Sequence, residues 1–331
     1  MFGGSRRFIT GLDVGTESVK AVRLQHAGER VRLVGIALAE IDYPTGNRNE
    51  TDAGARTARV EAIRKALKAS GTDISSSCQV VTAVEGPSIS VKHVTFPKMP
   101  SPSLAESIGW EAKKHVPFGA SEFVLDFQLL ARVTPEDTDD MHVVLAAVEQ
   151  RLIDDHVGLV CEAGVEPDTV DLVPLALVNE LFAEGLIDDS TVAAVEIGAD
   201  TLSVSIYRAG GLLLVRSVRM PTSAGGHGAV SGEGGERRTT GSEWQTFVLK
   251  EVQRSLAFYN SETGRRGIDR IYLSGGRALA DGVVDAFRNS LKVATEVLNP
   301  LEGIADADID IESLRAQGPR FALAMSLARR R

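Results

Sequence analysis

The stretch GLDVGTESVKAVRL, residues 11–24, decides the fold. Its apolar run reaches an acid at Asp13, turns at Gly15, passes a hydroxyl at Ser18 and then resumes an alternation of apolar and polar residues. Alternation on both sides of a turn predicts two antiparallel strands. Glycine lets the backbone bend tightly and point successive N–H groups into a concavity, which is a site for an anion such as phosphate.

A second stretch, VEIGADTLSVSIYRAGG at residues 195–211, repeats this pattern. A gapless alignment of the two stretches pairs acid with acid, glycine with glycine and hydroxyl with hydroxyl. The aligned pairs are Asp13 with Glu196, Gly15 with Gly198, and Ser18 with Thr201. Similarity at this separation indicates one architecture used twice rather than a short solenoid repeat. We therefore predict a duplicated, bilobed α/β fold whose two glycine turns face each other across one cleft.

Composition excludes several classes of protein. The 331 residues are 43% hydrophobic and carry a formal net charge of -9, which argues against broad binding to nucleic acid. The two cysteines, Cys78 and Cys161, lie far apart and beside no metal-binding pattern, which favours a reducing compartment. No stretch is apolar for long enough to cross a bilayer, so we expect a soluble protein without a transmembrane segment.

The periodicity of the remaining chain predicts its division into units. These are the first part of lobe one (1–78), an inserted α/β subdomain (79–165), a return to lobe one (166–190), lobe two (191–300) and a C-terminal helical segment that packs on lobe one (301–331). In the inserted subdomain Ser103 and Glu106 predict the capping box that begins a helix. Trp110, on the same helix, is expected to lie in the core.

A third motif, IDRIYLSGGRALADGVVDAF at residues 268–287, is typical of a strand, a glycine pair and a helix start, where a nucleotide approaches the backbone. We expect Lys20 to reach a terminal phosphate, and Asp13 and Glu196 to hold Mg²⁺. The simpler alternative is a pair of ordinary glycine hairpins and a tight β–α loop. The candidate cleft residues are Asp13, Gly15, Thr16, Lys20, Glu196, Gly198, Ala199, Thr201, Gly275, Gly276 and Arg277.

These stretches, with EAKKHVPF at residues 111–118 and LDFQLL at 125–130, resemble the PilM family, the actin-like components of the type IV pilus assembly platform. The family lies in the superfamily of actin, FtsA, sugar kinases and Hsp70-type ATPases. The resemblance implies an actin-like (ribonuclease H-like) fold and a cleft for ATP and Mg²⁺. It also implies a scaffold at the cytoplasmic face of the inner membrane that binds the cytoplasmic tail of a PilN-like partner. We expect this tail to bind, as an added strand, in a groove between lobe one and the inserted subdomain. Other pilus platform proteins and the assembly ATPase are further implied partners.

The sequence departs from the family in two places. Residues 221–242 are rich in glycine, serine and threonine, so we expect a flexible loop where relatives have a cap subdomain. Glu196 replaces the usual aspartate, which changes the distance to a metal.

We therefore favour an adaptor over an enzyme. The alternatives are an active Mg-ATP-dependent ATPase and an FtsA-like or GspL-like membrane-linked protein. The closing arginines, Arg329, Arg330 and Arg331, could contact anionic lipid, but we assign them to a helix C-terminus, because the helix dipole favours cations there.

Overall fold

The computed structural model describes residues 7–28, 30–43, 48, 52–73, 78–115, 121–129, 140–188, 190–208, 211–221, 241–263, 267–304 and 306–330. The predicted loop at 221–242 lies, apart from its ends, outside these residues. The strands are β1 (Arg7–Val14), β2 (Ser18–Ala27), β3 (Arg30–Glu40), β4 (Gln79–Val84), β5 (Ile89–Pro97), β6 (Phe123–Leu129), β7 (Asp140–Glu149), β8 (Thr169–Leu172), β9 (Thr191–Ile197), β10 (Thr201–Arg208), β11 (Gly211–Arg219), β12 (Arg270–Ser274) and β13 (Ala294–Val297). The helices are α1 (Ala53–Ala69), α2 (Ser101–His115), α3 (Gln150–Glu162), α4 (Val173–Ala183), α5 (Gly241–Thr263), α6 (Val283–Leu291) and α7 (Ala322–Ala328), with 3₁₀ segments at Gly276–Leu279 and Glu312–Phe321.

Two five-stranded sheets share one topology. The first has the order β3-β2-β1-β4-β8 and the second the order β11-β10-β9-β12-β13. In each sheet three antiparallel strands form a meander, and two parallel strands extend it from the first strand of that meander. The predicted duplication is confirmed, and the repeated sheet is that of the expected actin-like bilobed fold.

The two glycine hairpins are built alike. The N–H of Gly15 donates to the carbonyl oxygen of Ser18 at 3.1 Å, and the N–H of Gly198 donates to that of Thr201 at 2.9 Å. Each bond joins a glycine to the residue three positions later, at the same place between the first two strands of its sheet. The sequence alignment of the two stretches therefore corresponds to a structural equivalence.

The third sheet is antiparallel, in the order β5-β7-β6, and α2 covers one of its faces. Leu104 and Ile108 of α2 pack there against Val143 and Leu145 of β7. β4, which begins the inserted subdomain in the sequence prediction, pairs with β1 and β8 in the first sheet. Likewise α3 packs with α1 in the core of lobe one.

Two predictions for α2 are wrong. The helix begins at Ser101, so Ser103 lies within its first turn and is not the N-cap. Trp110 is 68% exposed rather than buried in the core. The buried stripe of the helix contains Leu104, Ile108 and Ala112, and Trp110 lies outside that stripe.

One continuous core joins the two lobes. Val81 of β4 and Ala176 of α4 pack in one cluster with Val192 of β9 and Tyr207 of β10. The buried hydroxyl of Tyr207 donates a hydrogen bond to the carbonyl oxygen of Pro174, at the start of α4. Lobe two is thus fixed to α4, the helix that follows the last strand of the first sheet.

The C-terminal segment packs on lobe one, and α7 lies directly against β1. The contact is so close that a Cβ added to Gly11 would lie 1.9 Å from the carbonyl oxygen of Ala324. The preceding 3₁₀ segment reaches lobe two, because the carbonyl oxygen of Pro319 accepts a hydrogen bond from the N–H of Gly275 at 3.1 Å.

Candidate functional site

The cleft between the lobes begins with an ion pair on the first hairpin. Asp13 near the end of β1 and Lys20 near the start of β2 are opposite each other in the strand register. Lys20 Nζ lies 3.0 Å from Asp13 Oδ2, and both side chains are largely buried. The only cation that the first hairpin directs into the cleft is therefore already paired within that hairpin, among the residues that the structure describes.

Glu85, which the sequence analysis missed, connects the two hairpins. It follows β4 directly, and its Oε1 lies 3.9 Å from the position of a Cβ added to Gly198. Burial, followed by repulsion from Asp13, raises the pKa of Glu85 to about 7, although the charge of Lys20 lowers it. The two glycine hairpins therefore lie on either side of one carboxyl group.

Glu196 at the end of β9 adds a third carboxyl group. Its Oε2 accepts a hydrogen bond from the hydroxyl of Ser274, at the end of β12. Burial raises the pKa of Glu196 to about 8; the hydrogen bond from Ser274 lowers it, and the nearby Asp13 and Glu85 raise it further. Three acids thus lie near Lys20 in the cleft.

The glycine pair after β12 makes a close backbone approach. Gly275 has φ +88, and a Cβ there would lie 2.5 Å from the carbonyl oxygen of Ile197, so this position requires glycine. A Cβ on Gly276 would meet nothing within 4 Å, so a ligand could approach this backbone. The prediction of a helix start at this pair is wrong: a four-residue 3₁₀ segment follows it, and α6 begins only at Val283.

Arg277 lies at the outer end of the cleft. Its guanidinium carbon is 5.3 Å from the centre of the Trp244 ring, at the start of α5. Burial lowers the pKa of Arg277, whereas the charges of Glu17 on the first hairpin and Asp200 on the second raise it. The side chain therefore lies near both hairpins.

Two other candidate residues, Thr16 and Ala199, lie in the turns of the two hairpins. The carbonyl oxygen of Thr16 accepts a hydrogen bond from the hydroxyl of Tyr43 at 2.7 Å. Ala199 lies in the turn between β9 and β10. Within the described residues no group of three His, Cys, Asp or Glu side chains is placed to hold a metal ion, so Mg²⁺ at Asp13 and Glu196 stays a prediction.

A second site is a groove of about 990 Å³ bounded by the third sheet, by β8 and α4 of lobe one, and by lobe two. It lies where the sequence analysis placed the binding site for a partner's tail. Much of its lining is apolar, and three of the large apolar side chains are exposed. The exposed ones are Val124 and Phe127 on β6, and Phe182, 48% exposed, on α4.

Charged residues lie at the floor of this groove. Arg330 pairs with Asp171 of β8, which is largely buried. Arg329 Nε lies 2.9 Å from Oε2 of Glu180 on α4, and its Nη2 lies 3.2 Å from Oε1 of Glu184, the C-cap of that helix. The assignment of these two arginines to the helix dipole is therefore incomplete, because both form side-chain ion pairs.

A family model described as "Type IV pilus assembly protein PilM" matches residues 11–226 and 242–331. The chain belongs to the PilM family of type IV pilus assembly proteins. This match confirms the resemblance to the PilM family that was predicted from the sequence motifs. Among the described residues of this PilM-family protein, no helix is long and apolar enough to span a membrane.

The fold also resembles solved structures. The chain is 23% identical to one in the "PilM-PilN type IV pilus biogenesis complex", with 97% of each chain covered and a TM-score of 0.76. A Bacteroides thetaiotaomicron protein described as having an actin-like ATPase fold gives 10% identity, 93% and 95% coverage and a TM-score of 0.46. The ethanolamine utilization protein EutJ from Carboxydothermus hydrogenoformans gives 13% identity, 98% and 90% coverage and a TM-score of 0.46.

Proposed function

We propose that this PilM-family protein is an adaptor in type IV pilus assembly that binds the cytoplasmic tail of a PilN-like inner-membrane protein in the groove. The partner then holds it at the cytoplasmic face of the inner membrane. The observation that carries the proposal is the groove itself, where exposed aromatic side chains lie between two sheets. The similar chain in the PilM-PilN complex supports a partner of this type.

The groove suits an extended peptide because two edge strands line it. β6 is an outer strand of the third sheet and β8 is an outer strand of the first, and residues of both contact the groove. An edge strand presents unpaired N–H and C=O groups with which an added strand can pair. Main-chain hydrogen bonds would then supply affinity, and pockets beside Phe127 and Phe182 would select side chains.

The test is a calorimetric titration with a peptide of the cytoplasmic tail of the PilN-like protein from the same organism. We expect saturable binding that Phe182→Ser weakens about tenfold or more, because a buried aromatic side chain contributes roughly 1.5–3 kcal/mol. Phe258→Ser is the matched control, since Phe258 is 49% exposed on α5 and does not line the groove. Absence of binding, or equal effects of the two substitutions, would refute the adaptor role.

We also propose that the cleft between the lobes binds a nucleotide together with Mg²⁺. Two matched glycine hairpins and the open backbone at Gly276 favour such a ligand. Three acids beside Lys20 disfavour a free phosphate, whereas a divalent cation would neutralise them. In this proposal Asp13 and Glu196 hold the metal, and Lys20 contacts phosphate.

Hydrolysis is the alternative function of the same cleft. Bound Mg²⁺ would supply charge neutralisation on the phosphates. Release of inorganic phosphate from Mg-ATP, measured with and without the tail peptide, distinguishes an ATPase from an adaptor. We expect no turnover above that of a Lys20→Ala variant. Turnover that this substitution abolishes would favour the enzyme.

A further inference from the structure

The groove that lies between β6, β8 and α4 contains an imbalance of charge. Among the described residues, four charged side chains line it: Asp126 on β6, Asp171 on β8, and the arginines Arg329 and Arg330. The groove is otherwise lined largely by apolar residues, so any peptide that fills it also removes water from these groups. The ion-pair partners of these four charged groups therefore determine which peptide can bind.

Arg329 does not supply a cation for the peptide site. Its side chain is largely buried, and its guanidinium pairs with Glu180 on α4 and with Glu184, the C-cap of that helix. Arg330 differs, since its side chain is 42% exposed while it pairs with Asp171. The available positive charge of the groove is thus one partly exposed guanidinium.

The two aspartates carry two carboxylate groups, and the Arg330 guanidinium forms an ion pair with only one of them among the described residues. Asp171 Oδ1 accepts the N–H of Leu172 at 2.8 Å, and its Oδ2 pairs with Arg330. Asp126 Oδ1 accepts the N–H of Phe127 at 2.8 Å, and within the described residues its carboxylate forms no ion pair. Both carboxylates line the same groove. Burial raises the pKa of Asp171, Arg330 lowers it, and the charge of the nearby Asp126 adds a smaller rise. An apolar peptide over Asp126 would leave an ionised carboxylate without water or a cation, which is costly.

We infer that the segment bound in the groove carries one basic side chain among apolar residues, and that its cation lies between Asp126 and Asp171. In the free protein Arg330 supplies part of this positive charge. The inference rests on the proposed adaptor function, and it adds the chemical class of the bound segment. Selection arises because only a segment with a correctly placed Lys or Arg compensates Asp126 when water leaves.

The test uses the tail peptide of the PilN-like protein and a series in which each Arg is replaced by citrulline and each Lys by norleucine. We expect one replacement to weaken binding at least tenfold and the others less than threefold. Asp126→Asn should remove most of that difference, whereas Asp285→Asn, on α6 outside the groove, should retain it. Arg330→Gln should enlarge the difference, because Asp171 then depends on the peptide for its cation.

The outcomes separate the inference from the adaptor function. Binding of the tail that Phe182→Ser weakens, with no basic residue contributing more than threefold, would overturn the inference and leave the adaptor role standing. A dependence on one basic residue that Asp126→Asn does not change would also overturn it. If the unmodified tail does not bind, the adaptor function fails and the inference fails with it.

Discussion

Lys20 and Asp13 form an ion pair of 3.0 Å on the first hairpin, and the described residues of the second hairpin form no counterpart of it. Asp13 is opposite Lys20 in the register of β1 and β2, whereas Glu196 is opposite Ser203 in the register of β9 and β10. The hydroxyl of Ser203 bonds to that of Ser217 at 3.0 Å. The duplicated hairpins therefore share their backbone, but only one of them supplies the cleft with a cation.

Lys20→Ala should abolish saturable binding of Mg-ATP. The substitution removes the Lys20 ammonium group from beside Asp13, Glu85 and Glu196, so a polyanionic phosphate is repelled more strongly. Calorimetric titration with Mg-ATP measures the effect, and Lys65→Ala, at an exposed position on α1, is the control. Equal affinities of Lys20→Ala and the unmodified protein would remove Lys20 from the site.

Binding of Mg-ATP should strengthen as the pH rises from about 6.5 to 8.5. Glu196 has a pKa of about 8 and Glu85 of about 7, so both carry protons over part of this range. A metal ion needs the deprotonated carboxylate, so binding releases a proton below each pKa and weakens as the pH falls. Below the pKa of Glu196 we expect the affinity for Mg-ATP to fall by up to roughly tenfold per pH unit for each proton released.

Proton release can be counted directly by titrating in two buffers with different enthalpies of ionisation. Glu196→Gln should lose the steep part of the pH dependence near pH 8. A pH-independent affinity in the unmodified protein would show that these carboxyl groups do not contact the bound metal.

The sequence predicted the two lobes well because the evidence for them is local. Each hairpin lies within about twenty residues, and its alternation and glycine turn fix the strand pairs. Glu85 was missed because a single acid after a strand has no pattern of its own. Its position becomes informative only when β4 is known to run parallel to β1, since ligands bind at the carboxyl ends of parallel strands.

Other features depended on tertiary contacts that no local pattern records. The helical periodicity of α2 shows apolar residues on more than one side, and only the sheet that packs against it separates Ile108 from the exposed Trp110. The groove was predicted only as a place between lobe one and the inserted unit. Its charged floor joins Asp126 and Asp171 to Arg330, which is about 160 residues further along the chain than Asp171.

Gly11→Ala should strongly destabilise the protein, although the backbone of Gly11 is ordinary extended strand. The new Cβ would lie 1.9 Å from the carbonyl oxygen of Ala324 and 2.6 Å from the backbone nitrogen of Ala328, so α7 must move away from β1. Overpacking of this kind costs about 1–3 kcal/mol or more. The midpoint of urea unfolding should fall accordingly.

Gly109→Ala is the matched control for that substitution. Gly109 is exposed on α2, and a Cβ there would meet nothing within 4 Å. Alanine should stabilise this helix by up to about 1 kcal/mol, because it restricts the unfolded chain more than glycine does. Similar midpoints for Gly11→Ala and the unmodified protein would mean that α7 does not pack tightly on β1.

Glu180→Gln should make the protein relatively more stable as the pH rises. Glu180 is fully buried beside Arg329, and burial raises its pKa to about 8, against the opposing effect of the Arg329 charge. Between its ordinary pKa of roughly 4.3 and pH 8 the folded state keeps a proton that the unfolded state has lost. The stability that Glu180 contributes is therefore fully present at low pH and declines as the pH rises through this window.

Glutamine cannot ionise, so the variant escapes this decline while any fixed cost of the substitution stays constant with pH. The difference in unfolding free energy between variant and unmodified protein should shift in favour of the variant from pH 5 to pH 8, by a few kcal/mol at most, since one pKa unit corresponds to about 1.4 kcal/mol. Urea unfolding at four pH values measures it, with Glu61→Gln on the exposed face of α1 as the control. Parallel stability curves for Glu180→Gln and the unmodified protein would show that Glu180 stays ionised beside Arg329 throughout, because a carboxyl group with equal pKa values in both states gives no pH-dependent difference.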